Sequence, residues 1–234
     1  AYYLKRENKD LNILVVDKYS TYAQGNTSKA AAGFRDLFSS EPNYKLAKSS
    51  ISFYDHVQRN LNFNLDMIYL CYMYLLDEDT KNKYNSVIEE LEKKTKTKRL
   101  SEQEIKDFFP EINLTPDSVS REVMKLRPIV EAFVGLNCGI FEPDLISNFY
   151  YNQLTKMDVE FKFNMKIEKL NLEPVNKLEY PGEPFIWQEK RISSISGNRE
   201  LLSADNFVIA TDVWSPMLLD PLGIDSFTRP KKRQ

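Results

Sequence analysis

Apolar and polar positions recur in two rhythms along this chain, and the switches between them mark out its elements. Residues 11–16 (LNILVV) form a short apolar run rich in β-branched side chains, which predicts a strand buried on both faces of a parallel sheet. Residues 1–7 (AYYLKRE) predict a helix without a capping Ser, Thr, Asp or Asn before its first apolar residues, ended by residues 8–10. Over 43–60, Leu46, Ile51, Phe53, Tyr54 and Val57 fall roughly on one helical face. Residues 65–76 (LDMIYLCYMYLL) are apolar and aromatic, and predict a strand in a second sheet. Alternation then puts Tyr72 and Tyr74 on one face of that strand and Tyr69 on the other.

The stretch 77–106 changes character, since Glu, Lys, Asp and Asn dominate while Tyr84, Val87, Ile88 and Leu91 keep helical spacing. It predicts an exposed amphipathic helix whose charges are a solvated face. Within 100–110 (LSEQEIKDFFP), Ser101 and Glu104 have the spacing of a capping box, and Pro110 stops that helix. A less regular segment runs to Leu136, residues 139–143 read as a turn, and 144–157 predict a helix burying Leu145, Ile146, Phe149 and Leu154. Strands follow at 159–163 and 166–172, then a loop at 174–184 and a hairpin or meander over 186–196, with Gly197 and Asn198 turning into a further strand. Residues 205–210 predict another buried strand, and 211–216 a turn into a helix capped by Ser215 with Pro216 at its first position.

Composition narrows the function class. The 234 residues are 42% hydrophobic and 28% charged, enough for one large or two modest domains. A net charge of −2 supplies no global field for nucleic acid, so no nucleic-acid partner is expected. No apolar run reaches the roughly 20 residues of a spanning helix, no signal peptide is visible, and the default location is cytoplasmic. Cys71 and Cys138 lie among apolar neighbours, which predicts two buried reduced thiols without a metal role. With His56 as the single histidine, placed mid-helix, neither a histidine-centred triad nor a multi-histidine metal site is expected.

The first strand ends in an acid, Asp17, and a carboxylate at a strand tip is the group that accepts both ribose hydroxyls in dinucleotide-binding folds. Taken in order, the strand NILVVDK, the turn GNTSKAAAGFR, the segment LSEQEIKDFFPEI, the turn and helix GIFEPDLI, the pair VEFKFNMKIEKL, the block ADNFVIATDVWSPML and the terminal RPKKRQ resemble the FAD-dependent amine oxidoreductases. Members of that superfamily include D-amino-acid oxidase, glycine oxidase, sarcosine oxidase and dye-linked L-proline dehydrogenase. The resemblance implies an α/β class, with a Rossmann-like FAD-binding domain and an α+β substrate domain. Its Gly-rich loop is expected about 20 residues ahead of the acid, before Ala1, so the chain reads as an internal piece of a longer flavoprotein-like chain. The expected division is 1–41, 139–169 and 201–234 for FAD, with 42–138 and 170–200 for the substrate or a sheet extension.

Residue by residue, the resemblance implies that Asp17 binds the adenosine ribose and that the backbone near Lys18 flanks the adenine. Thr27, Ser28 and the small run with Ala31, Ala32 and Gly33 would approach the pyrophosphate and flavin ring. Ile167 would hold the adenine through its backbone, and Ala210 with Thr211 would close over the phosphates. Gln234 would begin a return strand. Arg35 is the candidate catalytic cation beside the flavin, because a guanidinium offers a rigid fork of donors; a salt bridge at a domain interface is its structural alternative. Tyr72 and Tyr74 are candidates for the substrate pocket, or for ordinary aromatic core. Trp214 shields the cofactor or packs a strand–helix junction. The family's late turn usually carries Gly where this chain has Asp212, whose carboxylate would repel a pyrophosphate unless it points away.

The function these readings imply is oxidation of an amino acid or secondary amine to an imine, with electrons passing to FAD. The alternatives are a non-catalytic subunit or scaffold that keeps the fold and, third, a nicotinamide-dependent dehydrogenase. The expected partner is a small-molecule amine or amino acid. A peripheral membrane contact, an electron-acceptor partner and an oligomer stay open.

Overall fold

Asn8 takes extended backbone angles (φ −139°, ψ 106°) and so ends α1 (Tyr2–Glu7), as the polar residues after it predict. In the computed structural model, which describes residues 1–226, the chain divides into two units. One comprises Ala1–Gln24 and the chain from Gln153 onward, the other Gly25–Asn152. The first unit opens with α1 and β1 (Leu14–Val16).

The second unit begins with β2 (Gly33–Phe34) and α2 (Glu41–Asn60), which buries Tyr44, Ile51 and Val57. Leu46, expected on that face, is exposed. The reason is angular: five residues from Ile51 leave it about 140° around the helix, whereas Tyr44, seven residues away, falls almost in line. The strand predicted over 65–76 is two strands, β3 (Ile68–Tyr69) and β4 (Tyr72–Asp77). Between them Cys71 adopts a left-handed φ of 65°, and the N–H groups of Leu70 and Cys71 both donate to the Cys138 carbonyl (3.1 and 3.0 Å). Cys71 is only partly buried, contrary to the expectation of two enclosed thiols, because it stands at this break.

Asp77 caps α3 (Glu78–Lys94), its Oδ1 accepting from the Thr80 N–H at 2.7 Å. The single helix expected over 77–106 is interrupted by β5 (Thr97–Ser101), a polar strand stabilised by pairing rather than by its own composition. Next comes α4 (Glu102–Phe108), and the Ser101–Glu104 capping box is present in full. The segment read as irregular holds α5 (Ser118–Met124) and β6 (Ile129–Gly135). β6 is the central strand of an antiparallel sheet ordered β4-β6-β5. Its period of two feeds two cores: Ala132 and Val134 join Leu100, Ile105 and Leu114, while Phe133 joins Leu76, Ile88 and Leu91. β7 (Gly139–Ile140) sits between β2 and β3 in a second small sheet, and α6 (Pro143–Thr155) follows. A third core packs Phe34, Ile51, Val57, Leu65, Met67, Ile146 and Phe149.

Back in the first unit, β8 (Glu160–Lys162) pairs in parallel with β1, aligning Leu14 with Glu160 and Val16 with Lys162. β1 has no other hydrogen-bonded neighbour among the described residues, and Leu14 is exposed, so the expectation of burial on both faces is corrected. β9 (Lys169–Pro174), β10 (Lys190–Gly197) and β11 (Glu200–Ser203) form an antiparallel meander. Residues 186–189, the start of the predicted hairpin or meander, are loop, with Ile186 and Trp187 exposed, because the Gln188 side chain bends the backbone by accepting from the Phe185 N–H at 2.7 Å.

Residues 205–210 form no strand either; they pair with none of the sheets, and Val208 is exposed. In α7 (Ser215–Leu219), Pro216 lies in the first turn as expected. Ser215, however, is inside the helix, and its hydroxyl lies 3.1 Å from that of Thr211. A cap must precede the helix to accept from its free N–H groups, so Ser215 is not one. No helix among the described residues is long and apolar enough to cross a membrane. The RPKKRQ segment, Gln234 included, lies outside the described residues.

Candidate functional site

The run that follows the first unit's opening segment is built to bring backbone close to something. After a short 3-10 turn at Thr27–Lys29, Ala32 adopts a left-handed φ of 59°, and its carbonyl accepts from the Phe141 N–H at 3.1 Å. That bond pins the turn to the end of β7. A cavity of about 540 Å³ lies against it. Thr27 and the small residues Ala30, Ala31, Ala32 and Gly33 form one part of its lining, and Tyr72, Phe141, Pro143 and Ile146 form the rest. A β-carbon on Gly33 would collide with the Tyr72 hydroxyl, so only glycine lets strand and ring meet there.

Of the residues singled out in the sequence, the structure thus gathers Thr27, Ala31, Ala32, Gly33 and Tyr72 around one cavity. Ser28 and Tyr74 are not among those lining it, and Tyr74 is 40% exposed. Arg35 is exposed beside it, its guanidinium carbon 5.8 Å from the centre of the Tyr72 ring and 5.7 Å from that of Phe38. Two aromatic faces therefore hold this cation without a carboxylate partner among the described residues. Phe141, Pro143 and Ile146 were not assigned to a site from the sequence. The signal was present in the GIFEPDLI block, which carries all three.

In the first unit, Asp17 stands at the carboxyl end of β1. Its N–H donates to the Lys162 carbonyl (3.0 Å), its carbonyl accepts from Met165 (2.9 Å), and its Oδ1 accepts from the Tyr19 N–H (2.9 Å). The carboxylate is thereby held at the strand tip. Lys18 points its ammonium at two rings, 4.8 Å from the centre of Tyr19 and 5.2 Å from that of Trp214, which joins two of the expected cofactor contacts. Ile167 lies just before β9, and Ala210 and Thr211 precede the turn at Asp212, which has a left-handed φ of 48°. No group of three or more His, Cys, Asp or Glu side chains among the described residues is arranged to hold a metal.

Solved structures share this fold. L-proline dehydrogenase from P. horikoshii superposes with a TM-score of 0.68 at 16% identity, over 91% of this chain and 56% of that one. L-amino acid deaminase from Proteus vulgaris gives 0.68 at 14% identity, over 95% and 46%. Glycine oxidase from Bacillus cereus ATCC 14579 gives 0.65 at 13% identity, over 94% and 53%. The chain spans about half the length of these structures. The sequence model of the FAD dependent oxidoreductase family matches residues 1–234 from end to end, and the chain belongs to that family.

Proposed function

We propose that this chain is part of an enzyme that oxidises an amino acid or secondary amine at its C–N bond to an imine. The observation that carries this reading is the cavity against residues 30–33, with the Tyr72 hydroxyl at its wall and the Arg35 guanidinium beside that ring. Each group, taken by itself, suits a part of FAD: the short-side-chain turn at 30–33 suits a phosphate or ring approaching backbone, and the carboxylate fixed at the end of β1 suits ribose hydroxyls. The chemistry that FAD would supply there is acceptance of the hydride equivalent leaving the carbon that bears the amine.

The chain's own residues position the reactants. Asp17 would accept from the ribose hydroxyls, and Lys18, Trp214 and the backbone of Ile167 would flank the adenine. Thr27, Ser28, Ala31, Ala32 and Gly33 would meet the pyrophosphate and flavin, and Ala210 with Thr211 would close over the phosphates. Arg35 would supply positive charge next to the flavin or the substrate carboxylate. Tyr72 would border the substrate, and Tyr74, on the same strand, would stand farther out.

The test is a visible absorbance spectrum of the purified full-length protein. Flavin bands bleached anaerobically by proline or sarcosine support the reading, and bleaching by one amine in a panel identifies the substrate. A preparation that stays colourless with added FAD overturns it. The left-handed Asp212 favours one other reading, a scaffold that keeps the fold. That reading predicts weak FAD binding and no bleaching by any amine.

A further inference from the structure

Over residues 33–36 exposure alternates: Gly33 and Arg35 are exposed, while Phe34 and Asp36 are buried, at 6% and 2%. Arg35 is therefore turned out of the core, against the rings of Tyr72 and Phe38. Contacts between a cation and a ring are weak at an exposed site, and a free arginine side chain has many rotamers to lose. The place of this guanidinium has to be set by the backbone that carries it. On one side the pairing of β2 does so, with Phe34 opposite Gly139.

On the other side stands Asp36. Its Oδ2 accepts from the Thr95 hydroxyl and from the Asn137 amide, each at 2.7 Å, groups 59 and 101 residues further along the chain. Thr95 is the residue that ends α3, and Asn137 lies between β6 and β7. The Asp36 carbonyl accepts from the Phe38 N–H at 2.9 Å, which closes a three-residue turn and brings Phe38 back beside Arg35. Next to Asn137, the Cys138 carbonyl receives the Leu70 and Cys71 N–H groups at the entry to Tyr72. Two adjacent residues, 137 and 138, thus hold both the strand end that carries Arg35 and the strand start that carries Tyr72.

We propose that Asp36 is a positioning residue of the candidate site: it fixes Arg35 beside the Tyr72 ring and, through Arg35, the place of a substrate carboxylate. The second half rests on the amine-oxidising reading of the site, and the first does not. One oxygen is enough for this role, because Oδ1 is buried without a partner. Asparagine keeps an oxygen for both donors and puts its amide where Oδ1 stood, so it should serve in place of Asp36. Alanine leaves the Thr95 hydroxyl and the Asn137 amide without their acceptor and releases the residue that follows Arg35.

The experiment compares full-length Asp36→Ala and Asp36→Asn with the wild-type protein by NMR after arginine labelling, the Arg35 signals being those lost in Arg35→Met. In a folded Asp36→Ala the Arg35 δ-methylene signals should lose most of the upfield shift that two aromatic rings impose, and in Asp36→Asn they should keep it. In anaerobic flavin reduction, Asp36→Ala should raise the half-saturating amino-acid concentration about tenfold and leave the limiting rate nearly unchanged, with Asp36→Asn close to wild type. An Arg35 signal that stays in place in Asp36→Ala, or moves equally in Asp36→Asn, overturns the positioning role. Unchanged half-saturation with Arg35 displaced overturns the link to the substrate. Displacement of Arg35 in a protein that no amine bleaches supports the positioning role and overturns only the amine-oxidising reading. If Asp36→Ala does not fold, Thr95→Val and Asn137→Ala each remove one donor, and both should move the Arg35 signals in the same direction by less; no movement in either overturns the proposal.

Discussion

The Tyr72 hydroxyl lies where a β-carbon on residue 33 would have to go. Adding a methyl there sets side chain against side chain, and overpacking of this kind costs about 1–3 kcal/mol. Gly33→Ala is therefore expected to lower the unfolding free energy read from urea denaturation by that amount and to narrow the cavity. Removing the hydroxyl removes the conflict, because the next Tyr72 atom would be 3.6 Å from the new carbon, an ordinary contact. In the double variant with Tyr72→Phe most of the loss should return, a coupling on the order of 1 kcal/mol. Additive losses in the unfolding curves would show that the two residues do not meet.

Asp212 holds a backbone shape that glycine adopts freely, at φ 48°. Asp212→Gly should stabilise the fold by up to about 1 kcal/mol. Where FAD phosphates approach that turn, removing the carboxylate should also tighten FAD binding. Fluorescence titration of flavin against both proteins reads the second effect, and calorimetry the first.

Cys138 is fully buried, and that burial pushes its thiol up to about 11. An unfolded thiol ionises lower, near 9. Between these values unfolding releases a proton, so the stability this group contributes is intact below about pH 9 and is lost as pH rises towards 11. Chemical denaturation across that window should show a falling stability that Cys138→Ala flattens. In the native protein, iodoacetamide should modify the partly exposed Cys71 well before Cys138.

What the sequence made readable was whatever rests on neighbours in the chain. The Ser101–Glu104 box, the end of α1 at Asn8 and the buried face of α6 are local arrangements, and they stand in the structure as their spacing predicts. β5 and β6 escaped because their strand character comes from pairing. Thr97–Ser101 is polar, and Ile129–Gly135 directly follows Pro128, which reads as punctuation. The strand expected at 205–210 failed for the converse reason: its composition suits a strand, yet it pairs with none of the sheets. In the site, the small run at 31–33 was singled out through the family resemblance of GNTSKAAAGFR, and it lines the cavity. Asp36 was not, since nothing in a sequence tells which oxygen of a carboxylate will lack a donor.

The left-handed turn at Cys71 acts as a gauge for the cavity. Because Leu70 and Cys71 both hang from one carbonyl, that of Cys138, the start of β4 is fixed and Tyr72 stands opposite Gly135. A slip of two residues would keep every side chain on its own face, yet it would put Tyr74 in the place of Tyr72. The width of the chamber is thus set by where one strand is allowed to begin.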